Sequence, residues 1–279
     1  MISPSDSFRV SIITPQGYQH ARCFLEVALL IKSALNSLGF DCDMAVNEVN
    51  PQRINILLGY HFLTLTPALQ QMRYIPYQLE QLGDEQGTFS EKKHQLLSHA
   101  CAVWDYSEDN IAFLAARGIG ARYLPLGYHP ALERITPVAK PDIDVLFYGS
   151  LGGRRAPLVE ALQADAGLAA EMVFGSYAQE RDELIGRARI VLNVHFYPTR
   201  IYESVRLSYL FNNRCFVLSE HSCLNPYPEV ELVEVEYEQL QEQCHYFKAH
   251  PQLCIERAAL TYEQFKSHYP MERLLEKVV

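Results

Sequence analysis

The run Gly149-Ser150-Leu151-Gly152-Gly153-Arg154-Arg155 stands between an apolar stretch, 144–148, that reads as a strand and a stretch, 157–164, that reads as a helix. Glycines at Gly149 and Gly152 let backbone N–H groups close on a phosphate. Ser150 adds a hydroxyl, and the helix start with the arginines, Arg154 and Arg155, supplies positive field. The run is neither G-x-G-x-x-G nor a Walker loop. Its bland reading is a tight turn carrying two solvated arginines.

Glu203 is expected two residues into a helix over 201–212. There its carboxylate can accept both hydroxyls of a ribose, with Arg206 one turn further along the same face. The alternative is a first-turn Glu that complements the helix dipole. Thr199, in Pro198-Thr199-Arg200, is either the helix N-cap or a phosphate contact, and the sequence does not separate these. Asn193 and His195 end a strand over 190–194 and share one side at its carboxyl end, where α/β sites form. A neutral His195 can donate to a sugar hydroxyl or a phosphate, and a charged one can offset negative charge on a leaving diphosphate. A satisfied structural histidine is the competing reading. Gly175 and Tyr177 follow another strand end, where they line a base pocket or form a capping turn.

These residues need a frame of strands and helices. Residues 9–13 read as a strand, followed by a turn at Pro15-Gln16-Gly17 and a helix to about Leu38, ended by Gly39. Short strands at 41–45, 54–58, 74–77, 100–104 and 121–126 follow between helical stretches, with Ser107 capping a helix over 108–117. Pro130, Pro137 and Pro141 mark a linker. A second series then runs as strand 144–148, helix 157–164, strand 171–174, helix 179–188, strand 190–194, helix 201–212, strand 215–219, strand 232–235 and helices 237–249 and 251–268. The alternation predicts an α/β chain of two Rossmann-like domains with parallel sheets, 1–130 and 131–279. The last helix is a candidate to return to the first domain. Ligands of such folds bind at the carboxyl ends of strands, and the cleft between domains is the default place.

The 279 residues suffice for two such cores. A hydrophobic share of 48% with 20% charged residues suits a globular chain. No apolar stretch approaches the ~18–20 residues that span a bilayer, so no integral membrane segment is expected. The start, Met1-Ile2-Ser3-Pro4, lacks the pattern of a signal peptide, and a cytoplasmic location is expected. Seven cysteines in unpaired spacing suit reduced, buried thiols and no zinc site, so no metal is expected. A net charge of −9 disfavours nucleic acid as a partner.

Val103-Trp104-Asp105-Tyr106-Ser107-Glu108-Asp109-Asn110, followed by Tyr123-Leu124-Pro125-Leu126-Gly127-Tyr128-His129-Pro130, resembles the hinge approach of GT-B glycosyltransferases, especially the group 1 or spore-maturation-protein-like family. Val145-Leu146-Phe147-Tyr148-Gly149-Ser150 resembles the opening of their nucleotide-binding domain. Val191-Leu192-Asn193 through Tyr202-Glu203 resembles the ribose-binding segment, and Tyr77-Gln78-Leu79-Glu80-Gln81-Leu82 is similar to a short acceptor-side segment. The resemblance implies two domains facing a cleft and metal-independent transfer of a sugar from a nucleotide-diphosphate donor to an unidentified acceptor. The donor is then a substrate, and no separate cofactor is implied. Gly149, Ser150, Gly152, Arg154, Gly175, Tyr177, Asn193, Thr199, Glu203 and Arg206 would bind it.

In the first half, Gly17, Tyr18 and His20 follow the first strand. His20 is a candidate base for an inverting reaction, with helix capping as its alternative. Gly59-Tyr60-His61, Glu80, Gly127 and His129 are similar strand-end or hinge candidates. Many retaining members carry Glu-x₇-Glu, and this chain has His195 eight positions before Glu203. That departure keeps two other functions open: a nucleotide-sugar-binding protein without transfer, and a GT-B-type epimerase acting on the sugar nucleotide itself.

Overall fold

A computed structural model describes residues 3–83 and 89–279, so Met1 and Ile2 of the leader reading lie outside the described residues. The chain divides into two compact units, one of residues 1–131 with 270–279 and one of residues 132–269.

The first unit runs β1 (Phe8–Ile12), α1 (Leu25–Ser37), β2 (Cys42–Val46), β3 (Ile54–Leu58), α2 (Pro67–Gln70), β4 (Tyr74–Gln78), α3 (Glu91–Ser98), β5 (Trp104–Asp105), α4 (Glu108–Ala115) and β6 (Arg122–Tyr123). All six strands are parallel, in the order β2-β1-β3-β4-β5-β6. β3 is buried at every residue of Ile-Asn-Ile-Leu-Leu, as expected of a parallel strand covered on both faces. α1 turns Val27, Ala28, Leu30, Ile31, Ala34 and Leu35 into the core, the three-and-four spacing of one helix face. The Ser107 side chain accepts from the Asn110 N–H, which caps α4 as its sequence position predicts.

The strands expected at 100–104 and 121–126 shrink to two residues each. Cys101 lies outside β5, although its N–H and thiol both bond the Tyr74 carbonyl at the start of β4, and β6 is an edge strand with a single neighbour. Not every cysteine is buried as expected: Cys101 and Cys223 are exposed, while Cys42, Cys244 and Cys254 are buried.

The second unit runs β7 (Ile143–Tyr148), α5 (Ala156–Ala164), β8 (Ala170–Val173), α6 (Ala178–Arg187), β9 (Ala188–Asn193), α7 (Ser204–Asn212), β10 (Val217–Glu220), β11 (Val233–Val235), α8 (Leu240–Ala249) and α9 (Pro251–His268). Its five strands are parallel in the order β11-β10-β9-β7-β8. One face of this sheet, with Val145, Phe147, Ile190, Leu192 and Leu218, packs on Leu158 and Leu162 of α5 and on Leu240, Cys244 and Phe247 of α8. Each such side chain contributes roughly 1.5–3 kcal/mol by leaving water. Phe147→Ala, which empties the centre of that layer, would cost about 3–5 kcal/mol.

A last helix, α10 (Met271–Leu275), groups with the first unit. The Met271 N–H bonds the Tyr128 carbonyl and Arg122 reaches the Val278 carbonyl. Among the described residues no helix is long and apolar enough to cross a membrane.

Candidate functional site

β7, β9 and β10 lie side by side and end at Tyr148, Asn193 and Glu220. The chain leaving each strand end contributes charge to one cluster. After β7, the turn through Gly149 brings Arg154 and Arg155 to the start of α5. After β9 come His195 and then Glu203 and Arg206 at the start of α7. Glu220 closes β10.

Arg155 is the buried centre of this cluster. Its Nε donates to the Val194 carbonyl at 2.8 Å, its Nη1 to the Ser150 carbonyl at 3.3 Å and its Nη2 to Glu203 Oε1 at 2.7 Å. The guanidinium also lies over the rings of Phe147 and Phe196. Burial pulls its pKa down to about 10, although Glu203 acts in the opposite direction. Arg155 therefore stays charged at neutral pH and holds one oxygen of Glu203.

Arg206 approaches the other oxygen of Glu203 at 3.8 Å. It donates to the Tyr148 carbonyl at 2.8 Å and lies over the Tyr148 ring. A longer contact, 3.4 Å, reaches Asn193 Oδ1, while Asn193 Nδ2 donates to Ser219. Gly149 is tied to this guanidinium: a Cβ there would stand 2.7 Å from Arg206 Nη2, and its φ of +131° is one that side-chain-bearing residues rarely adopt.

Arg154 is spoken for, unlike the exposed cation the sequence implies. It forms a bidentate pair with Glu220 at 2.5 and 2.6 Å and donates to the His195 carbonyl. Burial works to raise the Glu220 pKa, but Arg154 and the His195 N–H outweigh it and hold the carboxyl below its usual range. The His195 ring is 1% exposed, with Nε2 against Ser222 Oγ at 3.2 Å. Its Nδ1 is buried without a hydrogen-bond partner, 4.0 Å from Glu203 Oε1. Burial depresses the His195 pKa against the pull of Glu203 and Glu220, so the ring is neutral near pH 7.

The cluster thus sets three arginines against two carboxylates and a neutral histidine, a surplus of positive charge at the carboxyl ends of a parallel sheet. Such an arrangement suits a phosphorylated ligand, with Glu203 as the one carboxylate placed to accept from hydroxyls. Among the described residues no three His, Cys, Asp or Glu side chains gather as a metal-binding group.

The structure corrects two sequence expectations here. Glu203 is not inside α7 but at its N-cap position, with φ −82° and ψ 62°, and its side chain turns to Arg155 rather than capping the helix. Thr199 is not the N-cap, since it lies in an exposed turn five residues before Ser204. The helix starts late because Arg200 has φ +48°, and because buried Tyr202 packs edge-on against Tyr227.

Gly149, Ser150, Arg154, Asn193, His195, Glu203 and Arg206 come together. Gly152 is exposed on the rim of the loop. Gly175 and Tyr177 sit one strand further out, after β8, beside Phe174, whose ring is 59% exposed. His20 belongs to the first unit. It is the second residue of a 3₁₀ turn, Gln19–Phe24, so Tyr18 rather than His20 holds the cap position, and the two rings meet edge-on at 5.2 Å. Of the further first-unit candidates, His61 pairs with Glu80 at 3.5 Å. His129 bonds the Ala131 N–H and lies against Ser37 and Glu272.

Sequence reasoning counted Arg155 with Arg154 as positive field for the loop but not its burial against Glu203, and it missed Glu220. A Glu at the end of the buried run Val-Leu-Ser-Glu was the available signal for Glu220, because strand ends build α/β sites.

No known family profile matches the chain. It is similar in sequence to two uncharacterized proteins of Acanthamoeba polyphaga mimivirus. One is 26% identical over 139 residues, covering 47% of this chain and 19% of the viral protein. The other is 24% identical over 189 residues, covering 65% and 57%. The chain spans less than two thirds of the length of each viral relative.

Three solved structures are similar in fold. Anabaena HepE in complex with UDP and glucose superposes with a TM-score of 0.61 at 10% identity, over 98% of each chain. T4 phage BGT in complex with UDP and Mn2+ gives 0.59 at 10% identity, over 97% of each chain. TarM gives 0.55 at 11% identity, over 82% of this chain and 54% of TarM. These likenesses, with the two parallel sheets, show the GT-B fold.

Proposed function

We propose that the chain is a glycosyltransferase that takes a nucleoside-diphosphate sugar as donor, held at the carboxyl strand ends of the second unit. The observation that carries this reading is Glu203, fixed on one side by buried Arg155 and faced on the other by Arg206. A carboxylate oriented in this way accepts the two hydroxyls of a ribose. Arg206 and the N–H groups of the loop that starts at Gly149 then meet the diphosphate. As the sugar departs, the negative charge left on the diphosphate faces preorganised cations and the start of α5, where it is stabilised more than in the ground state. The donor is the only small molecule this scheme requires, and no metal or further cofactor takes part in it.

The UDP held by HepE and by T4 phage BGT makes UDP the first nucleotide to try. Gly175 and Tyr177, with exposed Phe174, lie where a base would extend past β8. His20 of the first unit is a candidate base towards the acceptor, which we leave unassigned. The narrower kinship with spore-maturation-protein-like members rests on the order of the motifs around Trp104, Gly149 and Glu203.

One observation favours a second reading, nucleotide-sugar binding without transfer. His195 stands where many retaining members have Glu, and its ring is 1% exposed and already bonded to Ser222. Turnover separates the two. The enzyme should release UDP from UDP-glucose or a related donor when supplied with a panel of sugar and glycerol-phosphate acceptors. Glu203→Ala should cut kcat/KM roughly 10- to 100-fold, the worth of hydrogen bonds to a charged group. Binding of the donor with no release under any acceptor would favour the binding protein, and isomerised donor without acceptor would favour an epimerase.

A further inference from the structure

We propose that the second unit carries another binding site, for a small amphiphile with one anionic head and one apolar chain, at the amino-terminal ends of its strands. The proposal stands apart from the donor site. β9 begins with Ala188 and Arg189 at the new site and ends with Asn193 in the donor cluster. Five residue steps at ~3.3 Å per residue put these ends roughly 17 Å apart.

A cavity of about 600 Å³ opens there, between the segment 135–141, the end of α6, the start of β9, the residues before β10 and the first half of α9. That volume lies within the ~300–1,000 Å³ usual for small-molecule sites. Its walls are apolar, with Val138, Ile185, Phe216, Ile255 and Ala258 among them. Ile255 is 63% exposed and Val138 40% exposed, so the cavity presents hydrophobic surface to water.

Charge decides what kind of apolar molecule fits. The lining includes Lys140, Arg189 and Arg214 and no acidic residue, in a chain whose net charge is −9. Arg189 Nε is buried and has no hydrogen-bond partner. Asp144 faces it with Oδ1 at 3.8 Å, an ion-pair distance too long for a hydrogen bond, while Asp144 Oδ2 is held by Lys248 Nζ at 2.7 Å and by the Ala169 N–H. Arg214, also in the lining, lies with its guanidinium carbon 3.9 Å from the centre of the Tyr262 ring and adds a second positive charge to this wall. A guanidinium whose buried Nε makes no hydrogen bond, beside an apolar wall, is complementary to a carboxylate or phosphate monoester on a hydrocarbon chain. A neutral lipid would leave the three cations of the lining uncompensated, and a cationic one would be repelled.

Titration calorimetry on the full chain tests this with dodecanoate and dodecyl phosphate, below micelle-forming concentrations, against dodecanol and dodecylammonium as controls. At least one anion should bind saturably with one site, and saturating UDP should not displace it. The tighter of the two anions identifies the head group as carboxylate or phosphate. Because Ile255 is exposed, Ile255→Glu and Ile255→Lys should both fold. The first should weaken the anion about tenfold, as expected for a charge-assisted contact opposed at short range, and the second should retain it. Equal binding of dodecanol, undiminished binding in Ile255→Glu, or no saturable binding of either anion would overturn the assignment.

Discussion

Arg155 Nη2 lies 2.7 Å from Glu203 Oε1, and the two side chains are 6% and 21% exposed. The pair joins the start of α5 to the start of α7, so the orientation of Glu203 depends on an arginine 48 residues earlier in the chain. Removing one member leaves the other charge without its partner inside the protein, which typically costs about 3–5 kcal/mol. Arg155→Met should therefore lose several kcal/mol in urea unfolding. Arg206→Met should lose less, because the 3.8 Å approach of Arg206 to Glu203 is longer and its other polar contacts are neutral oxygens. Both variants should lose affinity for UDP. A stability change in Arg155→Met within about 0.5 kcal/mol, the range of an ordinary surface substitution, would show that the pair is not held as described.

Gly149 gives a test that leaves every charge in place. A methyl group there meets the Arg206 guanidinium at 2.7 Å and forces a side chain onto φ +131°. Gly149→Ala should cost roughly 1–3 kcal/mol of stability from the backbone alone and should weaken UDP binding by displacing Arg206. Gly152, where an added Cβ meets nothing within 4 Å, is the control. Gly152→Ala should stay within about 0.5 kcal/mol of wild type, and a differential scanning fluorimetry series with and without UDP reads both effects.

His195 makes stability depend on pH. Its folded pKa is depressed by burial below the ordinary 6.5. Between those two values the unfolded chain binds the proton and the folded one does not. The contribution is therefore fully present above about pH 6.5 and is lost as pH falls towards the folded value. His195→Asn, which cannot titrate, should flatten the curve of Tm against pH in that window relative to wild type. An unchanged curve would mean that the ring takes up protons in the fold as readily as outside it.

Asp105 in the first unit carries the opposite sign. It is fully buried, Oδ1 accepts from the Ser107 N–H and the Asn110 amide, and Oδ2 has no partner. Burial raises its pKa well above 3.8, against those hydrogen bonds. The folded state holds the proton longer than the unfolded chain, so this contribution is present below pH 3.8 and declines as pH rises through the folded value, with a slope of at most ~1.4 kcal/mol per pH unit. Asp105→Asn should gain on wild type as pH rises, measured by urea midpoints from pH 5 to 9. A constant difference over that range would refute the assignment.

Much of the frame was legible in the sequence because it rests on local signals. Buried runs such as Ile-Asn-Ile-Leu-Leu in β3, the apolar face of α1 and the cap at Ser107 announce themselves within a few residues. The charge pairing did not. Arg154 and Arg155 read alike, as positive field for a phosphate or as solvated turn residues, yet the turn after Gly149 sends Arg154 to Glu220 and buries Arg155 against Glu203, contacts 66 and 48 residues distant. The start of α7 was misplaced for a similar reason. Pro198 to Tyr202 looks like a helix entry, but the left-handed Arg200 and the packing of Tyr202 on Tyr227, 25 residues on, delay the first helical turn. Propensity yields to such tertiary contacts, which short-range patterns do not encode.

The central claim is that Glu203 and the arginines around it hold a nucleoside diphosphate, and titration calorimetry with UDP tests it most directly. Wild type should bind UDP with one site, and Glu203→Gln, which keeps the side-chain shape but removes the charge, should bind it at least about tenfold more weakly. Absence of UDP binding by wild type, together with absence of binding of GDP and ADP, would contradict the account, as would equal affinity in Glu203→Gln.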